Sequence, residues 1–182
     1  LKTAKWLYIE GYLSTSDTAR IAVKQAREQA KAHGVKIALS LSDPAMVQYA
    51  RQGLEELLDD GVDLLFCNEQ EALMFTNTEN LDDAIAALKL NNQHIVITQG
   101  ANGATIIEPK QQFHVAGRHV DAVDTNGAGD AFAGAFLYAI NAGLSLEAAA
   151  QLAILISSEV VAQFGPRLAV ENYAKLFEQV KS

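Results

Sequence analysis

The stretch DTNGAGDAFAGAF, residues 124–136, marks a change from loop to apolar helix. Two glycines flank one alanine, and an aspartate follows at once. The first four N–H groups of a helix have no partner inside it, and the aligned peptide dipoles place about half a positive charge at that end. The sequence therefore predicts a helix from about Gly127 whose first amides can bind an anion such as a phosphate group.

The residues of this turn carry different chemistry. Gly127 and Gly129 have no Cβ, so an oxygen atom can come close to the backbone around Ala128. A carboxylate at Asp130 would repel a resting phosphate, but it is useful where a phosphoryl group is in transfer and an incoming hydroxyl must lose its proton. A second interpretation stays open, because acidic residues are common in first turns as partners of the helix dipole.

The common nucleotide motifs do not explain this turn. The order G-A-G-D-A-F lacks the third glycine of the dinucleotide fingerprint, and no acidic residue follows a later strand as a ribose ligand. A phosphate loop of the form G-x-x-x-x-G-K-[ST] is also absent. A nicotinamide-dependent oxidoreductase is therefore disfavoured.

Strand-like and helix-like segments alternate through the rest of the chain, as in a parallel sheet covered by helices. The runs GATIIEP and QQFHVAG predict an antiparallel edge hairpin. The pattern predicts one α/β domain over residues 1–182, a three-layer αβα, doubly wound and mostly parallel (Rossmann-like) sheet with ligands at the carboxyl ends of its strands. The predicted strands are 5–12, 35–41, 62–68 and 94–100, and the predicted helices are 16–33, 43–60, 69–75, 81–91, 127–142, 146–163 and 168–180.

Composition narrows the class of partner. The chain has 182 residues, 49% of them hydrophobic, and a formal net charge of −8, which argues against nucleic acid because phosphate binding needs a basic surface. The single cysteine, Cys67, allows no disulfide, and no apolar run is long enough to span a bilayer. We expect a cytoplasmic protein without a membrane partner. Because Leu1 is not a start methionine, we also expect a piece of a longer chain.

The signature DTNGAGDAFAGAF resembles the carboxyl-terminal motif of the ribokinase-like (phosphofructokinase-B) carbohydrate and nucleoside kinases, and Asn126 is similar to the adenosine kinase branch. The resemblance implies a ribokinase-like fold and transfer of the ATP γ-phosphoryl group to a hydroxymethyl of a sugar or nucleoside. It implies that Asp130 is the base and contacts the acceptor. The implied anion hole consists of Gly127, Ala128 and Gly129.

Two further motifs follow the order of the same family. NEQE is similar to its N-x-x-E pattern, which implies that Asn68 and Glu71 organise Mg²⁺ and the ATP phosphates, with Glu71 acting through water. This agrees with Mg²⁺, which keeps several waters and uses few carboxylates. TQGANG resembles the T-x-G-x-x-G segment, which implies ATP contacts at Thr98, Gly100 and Gly103, together with Gly129. A surface turn and a turn into the hairpin are the structural alternatives.

The segment SSEVVAQFGPRL resembles the loop that closes over the nucleotide in this family. The resemblance implies a site for a monovalent cation such as K⁺, built from five backbone carbonyls: Asp124, Asn126, Val160, Gln163 and Gly165.

Glu10 leaves the acceptor undecided. It matches a position where ribokinase-like members hold a sugar hydroxyl, whereas Asn126 favours a nucleoside kinase. An exposed carboxylate at a strand end is the alternative for Glu10.

Family members are considerably longer than this chain. We therefore expect the carboxyl-terminal nucleotide-binding portion without the amino-terminal substrate and lid part. We expect the isolated fragment to be prone to inactivity and the full-length protein to be compatible with a homodimer. A non-catalytic nucleotide-binding or regulatory domain of the same fold is the alternative.

Overall fold

Six short strands form the sheet of a computed structural model that describes residues 1–181. The first four strands pair in parallel, each with the next along the chain. Parallel neighbours need long crossover connections, which helices supply here. The strands are β1 Trp6–Glu10, β2 Lys36–Ser40, β3 Leu64–Asn68, β4 His94–Thr98, β5 Gly103–Ile107 and β6 Gln112–Ala116.

Eight α-helices accompany these strands in the described part of the chain. Two 3₁₀ turns, Gly11–Thr15 and Gly100–Asn102, were not predicted. The predicted fold class, a three-layer αβα, doubly wound and mostly parallel sheet with an edge hairpin, is confirmed. The helices are α1 Asp17–Ala32, α2 Pro44–Tyr49, α3 Arg51–Leu58, α4 Glu69–Thr76, α5 Leu81–Leu88, α6 Ala128–Asn141, α7 Leu146–Val161 and α8 Val170–Lys181.

Local signals position the helix starts. The Ser16 side chain accepts a hydrogen bond from Ala19 N–H at 3.4 Å and caps α1. Asp43 caps α2 in the same way, with Pro44 as the first helical residue. The single helix predicted over residues 43–60 is wrong, because the chain leaves the helical conformation at Ala50, where φ is −124° and ψ is 25°.

The break accompanies a close tertiary contact. A Cβ at Gly53 of α3 would lie 2.2 Å from the Ser14 carbonyl oxygen, so α3 approaches the first 3₁₀ turn more closely than a side chain would allow. The helical periodicity of residues 43–60 does not indicate this contact.

Backbone contacts group the chain into two compact units. The first contains Leu1–Thr98 and Ile107–Gln112, and the second contains Gln99–Ile106 and the chain from Phe113 onward. The expectation of a single domain stays a prediction. In the first unit, Leu39, Leu65 and Ile95 are fully buried, as strands covered on both faces require.

The second unit has a core rich in small residues. Ala139, Ala149 and Ala153 are fully buried together with Phe136 and Leu152. Alanines allow α6 and α7 to pack at short range. Among residues 1–181, none of the helices is both long enough and apolar enough to cross a bilayer.

Candidate active site

Three predicted site residues of the first unit lie at the carboxyl ends of parallel strands. The parallel register places Glu10 opposite Ser40, and Asn68 opposite Thr98. Each of these residues is the last of its strand. They therefore lie along the carboxyl edge of the sheet, where open α/β sheets bind their ligands.

Asn68 and Glu71 form a reciprocal capping box at the start of α4. The Glu71 carboxylate accepts from Asn68 N–H at 2.9 Å and from the Asn68 side-chain amide at 2.6 Å. The Asn68 side-chain oxygen accepts from Glu71 N–H at 2.8 Å. Glu71 is only 4% exposed, so the alternative of a surface turn is wrong.

Burial makes Glu71 a weaker acid than an exposed glutamate. The pKa of Glu71 is raised to about 6, chiefly by burial; the hydrogen bond from Asn68 N–H lowers it, and the negative charge of Asp43 makes a smaller contribution that raises it. Asp43 was not predicted as a site residue, since the sequence signal at Asp43-Pro44 is that of a helix start. The charge coupling to Glu71 depends on the tertiary fold.

We expect the raised pKa of Glu71 to make the free energy of unfolding depend on pH. The pKa of Glu71 is higher in the folded chain, about 6, than its ordinary value of 4.5. The folded state therefore binds the proton more tightly, and the resulting stabilisation, about 2 kcal/mol, is complete below pH 4.5 and lost as pH rises through 6. Glu71→Gln should remove this dependence.

Denaturant unfolding of both proteins across this pH range, in metal-free buffer, measures the effect. Exposed Glu79→Gln, just beyond α4, is the control and should keep the wild-type profile. A constant difference between wild type and Glu71→Gln at every pH would contradict the burial argument.

Glu10 has a partner that the sequence did not indicate. Its Oε2 accepts from the Ser42 hydroxyl at 3.3 Å, and Ser42 N–H donates to the Ser40 hydroxyl at 3.0 Å. Ser42 has φ 71°, in the left-handed region that non-glycine residues rarely adopt. Such backbone conformations cluster at functional sites, and Ser42 joins the candidate residues at this sheet edge.

Gly100 and Gly103 both have positive φ, 58° and 103°. A Cβ at Gly103 would lie 2.0 Å from the Val115 carbonyl oxygen. Glycine at 103 is therefore required where β5 approaches β6, and the interpretation as a turn into the hairpin is confirmed. The ATP contacts of Thr98, Gly100 and Gly103 stay predictions.

The glycine turn of the second unit starts α6 at Ala128, with Gly127 as N-cap at φ 75°. Ala128 N–H donates to the Thr125 carbonyl at 3.3 Å, so this amide, predicted to be available for an anion, already has a partner. Gly129 and Asp130 follow in the first turn, where N–H groups have no intrahelical acceptor.

Asp130 is exposed, and its carboxylate has no hydrogen-bond or ion-pair partner among the groups that the structure describes. It lines a cavity of about 850 Å³ in the second unit, formed by α6, α7, α8 and the turn before α8. Apolar and aromatic groups such as Leu152, Ile156, Tyr138 and Phe177 make up much of the lining. An unpaired carboxylate at a helix start is available to accept a proton.

Gly127 is required by both conformation and space. A Cβ there would lie 2.4 Å from Pro166 Cβ, and its φ of 75° disfavours any L side chain. We expect Gly127→Ala to lower the free energy of unfolding by about 1–3 kcal/mol, measured by denaturant unfolding. Gly134→Ala on the same helix is the control, because nothing lies within 4 Å of its added Cβ. Equal stability of the two variants would contradict this account.

Asp124 ties the segment before α6 to the segment after α7. Its carboxylate accepts from Asn126 N–H at 2.9 Å and from Gly165 N–H at 3.1 Å. These two bonds lower the pKa of Asp124. The Val161 carbonyl also accepts from Asp124 N–H at 3.2 Å.

The structure thus brings together three of the five residues of the predicted cation site. The other two, Val160 and Gln163, are joined by a hydrogen bond from Gln163 N–H to the Val160 carbonyl at 3.3 Å. The cation role of all five stays a prediction. Across the described part of the chain, no group of three His, Cys, Asp or Glu residues could hold a metal by itself.

The chain is similar to known proteins. A family model described as pfkB family carbohydrate kinase matches residues 1–172. An adenosine kinase of Schizophyllum commune is 29% identical over 182 residues, 90% of this chain and 52% of that protein. The chain spans about half the length of the curated relatives it matches.

Solved structures agree. The adenosine kinase from Sinorhizobium meliloti superposes with a TM-score of 0.89 at 34% identity, over 99% of this chain and 54% of that one. A candidate Ribokinase II from E. coli, solved in complex with ATP and Mg²⁺, gives 0.87 at 26% identity, over 98% and 60%.

The fold and the turn before α6 define an α/β protein of the ribokinase-like class. More specifically, the chain belongs to the pfkB carbohydrate kinase family. The family recognition made from the D-T-N-G-A-G-D signature is confirmed, whereas the expectation that the chain is the carboxyl-terminal portion of its relatives is not.

Proposed function

We propose that the whole protein is an ATP-dependent phosphotransferase that moves the γ-phosphoryl group to a hydroxymethyl of a sugar or nucleoside. The observation that carries the proposal is the exposed, unpaired carboxylate of Asp130 in the first turn of α6. Membership of a kinase family supports it. The alternative of a non-catalytic domain is not favoured by this membership.

In the proposed reaction, Asp130 accepts the proton of the hydroxymethyl group as its oxygen attacks the γ-phosphorus in line with the departing ADP oxygen. The backbone amides of Gly127, Ala128 and Gly129 stabilise the charge that develops on the transferring phosphoryl oxygens. For Ala128 this requires release of its turn bond to Thr125.

The first unit fits a water-rich magnesium ion. Mg²⁺ prefers oxygen ligands and few carboxylates, and the sheet edge supplies the Glu71 carboxylate with the Asn68 side chain. When bound, the ion would neutralise phosphate charge. Glu71 would hold it through water, because both carboxylate oxygens already bind Asn68. Thr98, Gly100 and Gly103 are proposed to contact ATP.

The acceptor is proposed at the level of its class. Asn126 favours a nucleoside, and similarity to an adenosine kinase supports this. Glu10 and its Ser42 partner favour a sugar hydroxyl, and similarity to a Ribokinase II supports that. The proposal also includes a K⁺ site at the Asp124 loop. It further includes a cytoplasmic location and a homodimer of the full-length protein.

ADP release from Mg-ATP by the full-length protein tests the proposal. Adenosine, inosine, guanosine, ribose and fructose are added one at a time. Stimulation by a nucleoside supports the branch indicated by Asn126, and stimulation by free sugars alone supports the role of Glu10. ATP binding without stimulation by any acceptor would favour the non-catalytic alternative.

A further inference from the structure

We infer that Arg51 is a positioning residue that holds α4, and through it the Asn68–Glu71 pair, in place for metal-bound ATP. The inference rests on the proposed function, since it assigns to α4 the task of presenting this pair. Arg51 begins α3, far along the chain from both residues.

The Arg51 guanidinium makes three contacts with the carboxyl end of α4, two hydrogen bonds and one contact with an aromatic ring. Its Nη1 donates to the Met74 carbonyl at 3.1 Å, and its Nη2 donates to the Phe75 carbonyl at 2.5 Å. The guanidinium carbon lies 5.3 Å from the centre of the Phe75 ring, within range of a cation–π contact. The fork geometry suits arginine, because lysine cannot donate to two fixed carbonyls in this way.

The positive charge of Arg51 lies at the carboxyl end of α4, where a cation is stabilising. The last carbonyls of a helix have no intrahelical partner and carry partial negative charge, so a cation beside them is stabilising. The α4 helix has only eight residues, a length at which a helix is marginal without tertiary contacts. Arg51 supplies such contacts at one end, and the capping box closes the other.

The two ends of α4 are therefore mechanically linked. Asn68 and Glu71 hold each other through three hydrogen bonds, so the pair moves with the first turn of the helix. A helix of this length extends about 12 Å, and release of its carboxyl end lets it tilt as one body. Groups that hydrogen-bond directly to a metal ligand change metal affinity about 10- to 100-fold when they are removed, and Arg51, which acts from the other end of the helix, is expected at the lower end of this range.

Binding of Mn²⁺ to the full-length protein tests the inference without turnover. Free Mn²⁺ is followed by electron paramagnetic resonance in the presence of a non-hydrolysable ATP analogue. We expect Arg51→Ala to weaken Mn²⁺ binding about tenfold, while the affinity for the metal-free analogue changes little. Arg51→Lys keeps the charge without the fork and should shift binding in the same direction, so it carries the test if the alanine variant does not fold.

Two controls separate positioning from general destabilisation. Glu55→Gln weakens the exposed pair of Arg51 Nε with Glu55, 3.0 Å, and leaves the carbonyl contacts intact. Ile37→Val truncates a buried side chain of β2, outside α3 and α4, and lowers the melting temperature. Both should bind Mn²⁺ like the unaltered protein.

Unchanged Mn²⁺ binding in both Arg51 variants would overturn the inference and leave the proposed function intact. An equal loss in Ile37→Val would overturn it as well, because the effect would then be one of stability. If the unaltered protein bound neither Mn²⁺ nor the analogue, the proposed function would fail together with the inference.

Discussion

Asp130→Asn in the full-length protein is expected to lower kcat by about 10²–10⁴-fold, the usual contribution of a positioned general base. Asparagine has nearly the same shape but cannot accept the proton of the incoming hydroxyl. The carboxylate has no hydrogen-bond or ion-pair partner among the described residues, so the substitution breaks no such contact there. ATP affinity should therefore be retained. Steady-state kinetics with calorimetric titration of ATP measures both quantities.

The matched control is Asp121→Asn, which changes an exposed acid in the loop before α6 and should keep kcat. The helix-dipole interpretation predicts a different result for Asp130→Asn: a lower melting temperature with kcat unchanged, because only the favourable interaction with the first turn is lost. That result would contradict the assignment of the base.

Gly129→Ala is expected to lower kcat by about 10²-fold without loss of stability. No heavy atom lies within 4 Å of the added Cβ, and Gly129 is the second residue of α6. Alanine is the better helix former, so the melting temperature should stay the same or rise. The added methyl group would occupy space that a phosphoryl oxygen needs beside the first amides, and loss of one anion-hole contact costs about this much.

Gly134→Ala is again the control, since it adds the same methyl group to α6 two turns before the end of the helix, also in open space. It should stabilise the protein and keep kcat. Normal turnover by Gly129→Ala would show that no oxygen approaches this backbone, and would contradict the anion hole. A fall in both kcat and melting temperature would instead indicate a structural role for Gly129.

Regular elements were predictable because their signals are local. Ser16 and Asp43 cap helices where the sequence indicated, and Gly34, with φ 66°, follows the end of α1. The break at Ala50 was not predictable, since the approach of Gly53 to Ser14 joins segments far apart in the chain. The sequence pattern indicates a helical period, but tertiary contacts decide whether the helix is continuous.

Some features of the candidate site could likewise be predicted from the sequence, and others could not. Asn68, Glu71 and Asp130 stand in short motifs whose order along the chain indicated the family, and that recognition is confirmed. The raised pKa of Glu71 and the clamp of Arg51 on α4 depend on packing. Burial and long-range hydrogen bonds have no signature in spacing, so these features required the structure.

Transfer of label from γ-labelled ATP to an acceptor tests the central claim most directly. The full-length protein is incubated with Mg²⁺, labelled ATP and each nucleoside or sugar, and the position of the label on the product is identified. The account predicts a phosphomonoester on a hydroxymethyl group, formed by the unaltered protein and lost in Asp130→Asn. Tight binding of ATP with no label on any acceptor, or equal transfer by both proteins, would contradict it.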